Sequence, residues 1–227
     1  MKTVFRLGLC AAAIVAASTA GAYEAGDWIV RGGVVNVSPD DDSSALELNG
    51  TAIGGTGVAV DEDTQLLLNV TWMARHNLGV ELLAATPFEH EVRTTGLAPL
   101  PGLKDVDLGK IKHLPPTLTV LWYPMDPGSS FQPFIGGGVN YTVFFQEDLS
   151  SAAEAALGAD NLELDDSWGL AFRAGFDYML NDCWSVHAGV YYLDIETEAG
   201  LDTALGKVDV NVDVNPWVYT LGVGYRF

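Results

Sequence analysis

The sequence predicts an all-β architecture: an eight-stranded antiparallel transmembrane β-barrel with a short helix in an extracellular loop. Three observations lead there. Apolar and polar residues alternate with a period of two through eight segments, the connections between them alternate between short and long, and the chain closes on an aromatic, in "NPWVYTLGVGYRF". A period of two is a strand with two unlike faces. In the closing stretch Trp217, Tyr219, Leu221, Val223, Tyr225 and Phe227 share one face, with aromatics at its ends and aliphatics between them. That is the pattern of a lipid-facing strand with an aromatic girdle at each interface. A soluble sandwich would explain the alternation, but not the secretion signal, terminal aromatic and loop asymmetry together.

Residues 1–22 read as a secretory signal peptide. Lys2 and Arg6 form the basic n-region, "LGLCAAAIVAA" the apolar h-region, and "AGA" supplies small residues before cleavage at Tyr23. Cys10 is part of the h-region, whose apolar run is too short to span a bilayer. The remainder, 23–227, is expected to be one domain, the barrel. It holds a single cysteine, Cys183, and therefore no intrachain disulfide. The net charge of −19 excludes nucleic acid as a partner and makes anionic headgroups unfavourable neighbours without bridging cations.

The eight strands are expected at 27–37, 64–74, 78–87, 115–124, 131–145, 167–180, 184–197 and 211–227. "RHN", "MDPGSS" and "NDC" are the short turns. The long connections, 38–63, 88–114, 146–166 and 198–210, carry most of the acids. In outer-membrane barrels the short turns are periplasmic and the long loops extracellular, and an even strand number puts both termini at the periplasmic edge. In the third loop, "LSSAAEAALGA" places Ser151 and Glu154 at capping-box spacing and predicts a helix over the extracellular mouth. "PDDDSS" and "DEDT" read as solvated loop surface, with a calcium site bridging to lipopolysaccharide as the sharper alternative.

Parity sorts the two faces. The outward positions, such as Trp28, Leu66, Leu68, Trp72, Leu118, Trp122, Phe172 and Trp184, are uncharged. Charges inside strands take the opposite parity, and a lipid-facing Arg or Lys near the midplane would cost about 2–4 kcal/mol. Inward at the lower and middle levels stand Arg31, Glu81, Arg173, Asp177, His187 and Arg226, which must pair in a narrow lumen and so predict a polar plug. Above them Val35, Val37, Leu67, Leu83, Phe144, Tyr191 and Leu193 predict an apolar pocket open toward the loops. Eight strands leave room for side chains or one small ligand, which argues against a general water-filled pore.

The strings "GVELLAATPFEHEV", "HLPPTLTVLWYP", "FQPFIGGGVNYTVFF", "DDSWGLAFRAGFDYML", "YYLDIET" and "DVNPWVYTLGVGYRF" resemble the outer membrane protein W family over essentially the whole of 23–227. The resemblance implies an eight-stranded barrel in the bacterial outer membrane with a narrow hydrophobic channel. That channel would admit small apolar solutes and release them sideways into the lipid. It also implies contact with outer-membrane lipids and lipopolysaccharide and insertion by the barrel assembly machinery. Pro87, Pro115 and Pro116, which cannot donate to a ladder, flank the upper ends of the third and fourth strands. On residues alone they simply end strands, whereas the resemblance makes them a lateral seam. The rival function is a structural or surface-recognition barrel with a closed lumen, its loops serving as phage or colicin receptors.

Enzymatic chemistry is disfavoured. Ser185 and His187 share a face near Asp177, but no motif supplies an oxyanion hole. His90 and His113 could meet a metal with Glu89 or Glu91, yet the spacing matches no ligand set, and loop histidines are ordinarily solvated. Neither a cofactor nor a metal is expected, and the "NVT" sequon at 69–71 falls inside a strand.

Overall fold

A computed structural model describes residues 23–40, 42–97 and 105–227; the predicted signal peptide, 1–22, lies outside them. In chain order the elements are β1 (Trp28–Ser38), β2 (Asp42–Ser43), β3 (Glu47–Leu48), β4 (Thr51–Ala52), β5 (Gly57–Val60), β6 (Asp63–Arg75), β7 (Leu78–Ala85), β8 (Phe88–Thr95), β9 (Asp107–Leu114), β10 (Thr117–Trp122), β11 (Phe131–Leu149), α1 (Ser151–Leu157), β12 (Asp160–Leu164), β13 (Ser167–Met179), β14 (Trp184–Leu193), β15 (Glu196–Thr203), β16 (Gly206–Asp213) and β17 (Trp217–Arg226). Eight of them, β1, β6, β7, β10, β11, β13, β14 and β17, pair antiparallel in that order, and β17 returns to β1 to close the barrel. Closure gives every barrel strand a partner on both sides through the membrane, as a hydrocarbon environment demands, and the one break in the β7–β10 ladder lies at its loop end.

The outward faces form an apolar band between two aromatic girdles. Trp28 pairs with Trp72, Trp184 with Tyr225 and Phe131 with Tyr178 at the short-turn end. At the loop end Tyr141 stacks on Trp168 with ring centroids 4.4 Å apart, and Tyr192 lies beside Trp217. About ten residues at 3.3 Å each, tilted as barrel strands are, span the ~25 Å hydrocarbon band.

Several expected boundaries shift, for one physical reason. The segments drawn at 184–197 and 211–227 each divide, at Asp194–Ile195 and at Val214–Pro216, into a barrel strand and a strand of the loops. The long connections are mostly hairpins that extend the wall above the membrane. β9 pairs with the upper part of β11, β8 with β9, and β5 with β8, while β12, β15, β16, β3 and β4 make a second sheet. The acids face water, but Leu46, Val58, Leu108, Ala153, Val210 and Val212 form a buried apolar cluster on the inner side. The acidic stretches of the first connection do face solvent, as at Asp61 and Glu62, but the long connections are ordered strands with an apolar inner row, and Val208, Val210 and Val212 keep period two right through the charges.

The helix forms where the alanines favour it, but its N-cap is Ser150 rather than Ser151. Ser150 Oγ accepts from the Ala153 N–H, and the left-handed Gly158 (φ 59°) closes the C-terminus. The Ser151–Glu154 capping box is not the cap.

Candidate functional site

The lumen is filled in three layers, each built from inward positions of different strands. At the short-turn end Tyr23, Ile29, Met73, Leu121, Tyr123, Phe134 and Met179 pack into an apolar floor.

A charged layer rests on that floor. Arg31 is fully buried and donates to Asp177 at 3.0 and 2.6 Å, to Glu81 at 3.0 Å, to the Thr71 hydroxyl at 2.6 Å and to the Tyr123 hydroxyl at 3.1 Å. Arg173 Nε lies 2.6 Å from Glu81 Oε1, too skewed for a directed hydrogen bond but an intimate ion pair. Its guanidinium sits 3.9 Å from the Tyr191 ring centroid and 5.0 Å from that of Phe134. His187 Nδ1 meets Asp177 at 2.8 Å, and the Tyr23 hydroxyl donates to Asp177 at 2.7 Å. Two guanidinium groups thus face two carboxylates; Arg31 is held by a full set of hydrogen bonds, and Arg173 by its ion pair with Glu81 and the faces of Tyr191 and Phe134.

The third layer is apolar. Val35, Val37, Leu67, Leu83, Phe88, Tyr191 and Leu193 are buried against one another, with Phe144 packed on them. Tyr191 joins this layer to the charges below, its hydroxyl donating to Glu81 at 2.7 Å and accepting from Asn69 at 3.2 Å.

Two cavities open above. The larger, about 570 Å³, lies within the loop extension and is walled by residues such as Leu46, Val58, Ile111, Leu157, Val212 and Phe144. The smaller, about 360 Å³, lies at the barrel wall between Leu83, Ala84 and Ala85 of β7, Phe88, the pair Pro115 and Pro116, and Val143 and Phe145 of β11. Here the wall is incomplete. The last β7–β10 pair is Leu83 with Thr117, whereas β7 continues beside β6 as far as Leu67 with Ala85. Pro115 and Pro116 have no N–H to extend the ladder. The lining combines inward residues (Leu83, Leu193) with outward ones (Ala84, Val143), and Val37 borders both cavities.

Two histidines line the larger cavity. His113 of β9 is cross-strand neighbour to Phe88 and to Phe144, with ring centroids 5.4 and 5.7 Å away. Its Nε2 lies 2.8 Å from Nε2 of His90, whose Nδ1 is 2.5 Å from the Asp61 carbonyl oxygen. Both lie beyond the loop-end girdle. Burial pushes the His90 imidazole below its usual range, and burial together with His90 pushes His113 down to about 3.

The sequence-derived candidates distribute as follows. Arg31, Glu81, Arg173, Asp177 and His187 share the charged layer, whereas Arg226 stands apart at the short-turn rim, its guanidinium 3.5 Å from Asp27. Of the expected pocket residues, Val35, Leu67 and Tyr191 fill the lumen below both cavities; Leu83 and Leu193 border the smaller cavity and Phe144 the larger. Pro115 and Pro116 line the lateral gap, and Pro87 turns the chain into β8. Among the described residues His187 has no hydrogen bond to Ser185, its partners being Asp177, Arg173 and Thr220. Glu89 and Glu91 pair with Lys110 on the opposite face from His90, so the imagined metal set does not assemble. His90 and His113 are buried partners, not solvated loop residues. The wall of the larger cavity was missed, although the alternation in "FEHEV" and "KVDVNVDV" carries its signal.

The chain matches the OmpW family over residues 24–227. It is 42% identical over 222 residues to outer membrane protein W of Vibrio cholerae, covering 96% of this chain and 98% of that one. To outer membrane protein W of Escherichia coli it is 39% identical over 206 residues, 91% of each. The crystal structure of the outer membrane protein OprG from Pseudomonas aeruginosa superposes with a TM-score of 0.86 at 48% identity, covering 91% of this chain and 98% of that one.

Proposed function

Because this chain belongs to the OmpW family of bacterial outer-membrane barrels, we propose that it is a passive uptake channel for small hydrophobic molecules, loaded from outside into the larger cavity and unloaded sideways into the lipid. The observation that carries this reading is the lateral cavity, where inward Leu83 and outward Val143 border one apolar space at an unpaired stretch of wall. Passage straight down is opposed by the charged layer, because an apolar solute cannot replace the hydrogen bonds it would break there. In this reading the short turns and termini are periplasmic, residues 1–22 are the removed signal, and Arg31, Glu81, Arg173, Asp177 and His187 form the plug. Lipopolysaccharide surrounds the outer half, and the barrel assembly machinery inserts the chain.

Flux of an apolar dye into liposomes tests it. Ala85→Trp, which fills the lateral cavity, and Leu83→Asp, which puts a carboxylate at its inner side, should each lower flux several-fold. Trp72→Phe on the lipid face should leave it unchanged. Equal flux in all four correctly folded proteins would leave the closed-lumen surface-recognition reading as the better one.

A further inference from the structure

We propose that Phe144 is the inner gate between the two cavities and that Asp166, gripping its backbone from the neighbouring edge, sets how far it opens, so that flat aromatic hydrocarbons pass and cage-shaped ones of the same carbon count do not. The inference rests on the uptake reading above and specifies which shapes get through.

One layer of side chains divides the cavities. Phe144 and Ile195 face the larger, Phe88 and Leu193 the smaller, Val37 borders both, and all of them pack in a single apolar cluster. A solute passing from one cavity to the other must displace a member of this layer. Val37, Phe88, Leu193 and Ile195 are buried, whereas Phe144 is only partly so. Its strand is also supported on one side only. β11 is paired with β9 here, but its ladder with β13 ends at Thr142 with Ser167, and among the described residues β12 pairs with β15 and not with β11. Just beyond, Gln146 takes a left-handed backbone (φ 54°) at the bulge where the β9 register shifts, a conformation costly for a side chain with a Cβ.

A single carboxylate stands in for the missing strand. Asp166 Oδ1 accepts from the Phe144 N–H at 3.2 Å, and Oδ2 accepts from the Tyr141 hydroxyl at 2.7 Å. Asp166 lines neither cavity, so it acts on the solute only through Phe144, as a positioning residue. Rotation of the Phe144 ring leaves that grip intact and opens a slot against the His113 ring, 5.7 Å away, with Phe88 on the far side of His113. A slot between flat rings suits a planar aromatic, which can stack as it passes. A cage requires the Phe144 backbone itself to swing, and the Asp166 bond opposes that.

The test measures uptake of tritiated naphthalene and adamantane, which have the same number of carbon atoms, by liposomes holding the full barrel, with the protein-free rate subtracted. Wild type should pass naphthalene about tenfold faster, the equivalent of about 1.4 kcal/mol in the barrier. Asp166→Ala should raise adamantane uptake several-fold while leaving naphthalene uptake, and the equilibrium affinity of the barrel in nanodiscs for both probes, unchanged, because a released gate alters a rate and not what fills the cavity. Asp166→Asn, whose Oδ1 still accepts the Phe144 N–H, should behave as wild type. Phe144→Leu, which keeps an apolar side chain without the ring, should bring the two rates together. Equal wild-type rates would overturn the inference while leaving the channel reading standing. In correctly folded barrels, an adamantane rate unmoved by Asp166→Ala, or raised as much by Asp166→Asn, would overturn the role of Asp166, and one unmoved by Phe144→Leu the role of Phe144. No protein-dependent uptake of either probe by wild type would overturn the channel reading and this inference together.

Discussion

Single residues in the lumen are held by more partners than their own strand offers. Arg173 and Asp177 lie four residues apart on one strand face, roughly 13 Å along it, so neither can satisfy the other. Arg173 finds Glu81 and Asp177 finds Arg31, each across the barrel interior. Arg173→Leu should therefore cost about 3–5 kcal/mol, because it leaves Glu81 buried with half its countercharge. Lower thermal stability of the heat-modifiable form, or increased ion leakage through planar bilayers, would register it. Wild-type values for both would mean that the layer does not close the lumen.

The paired histidines bear on stability in acid. Each imidazole binds protons more weakly in the folded protein than its ordinary 6.5, so the unfolded chain protonates first. The stability they permit is fully present above about pH 6.5 and falls as pH drops, for His113 by up to ~1.4 kcal/mol per pH unit until about pH 3, with His90 adding to the loss in the same direction. Asp61 and Asp63 oppose this but do not outweigh burial at His90. Amide exchange in β8 and β9, corrected for its intrinsic pH dependence, should speed up between pH 7 and pH 5, and His113→Phe should blunt the change.

At the scale of elements, hydrogen-bond capacity decides where the wall is whole. β11 is 19 residues long and serves two neighbours in turn, β10 within the membrane and β9 above it. The handover falls at Pro115 and Pro116, whose missing N–H groups make a gap there unavoidable. Ser150 does the reverse for α1 by supplying an acceptor that the helix start lacks, and its hydroxyl also bonds to the Asp107 carbonyl. Ser150→Ala should loosen α1 by about 1 kcal/mol. Proteolysis confined to the 146–160 region would report it, and unaltered protection would count against a role for this cap.

The whole molecule depends on joining its two ends. β1 and β17 are the most distant barrel strands in sequence, yet they share ten registered pairs, and the Phe227 N–H donates to the Trp28 carbonyl at 2.9 Å. Closure over so long a loop is entropically slow, so contacts at the last residue help to secure it. Deleting Phe227 also removes its ring from Tyr225, 4.7 Å away in the short-turn girdle. Less heat-modifiable barrel should accumulate in membranes of cells expressing the deletion, and undiminished assembly would show that the final aromatic is dispensable.

What the sequence determined by itself was the barrel: strand number, alternation of short and long connections, and the parity that turns Trp72 and Phe172 outward and Arg31 and Asp177 inward. Period two and the cost of a charge in lipid are local rules, applicable to each strand without knowledge of its neighbours. The partners were decided only by the tertiary structure. Register around the ring chose Glu81 for Arg173, sent Arg226 to Asp27, and put Tyr23 and Tyr123 beneath the charged layer. The loops hid most, because their acids mask an inner row of valines and leucines whose burial appears only when four hairpin segments close around one cavity. His113 shows the same dependence. Whether an imidazole is solvated or buried in an apolar wall is set by neighbours on other strands, and no spacing along one strand records them.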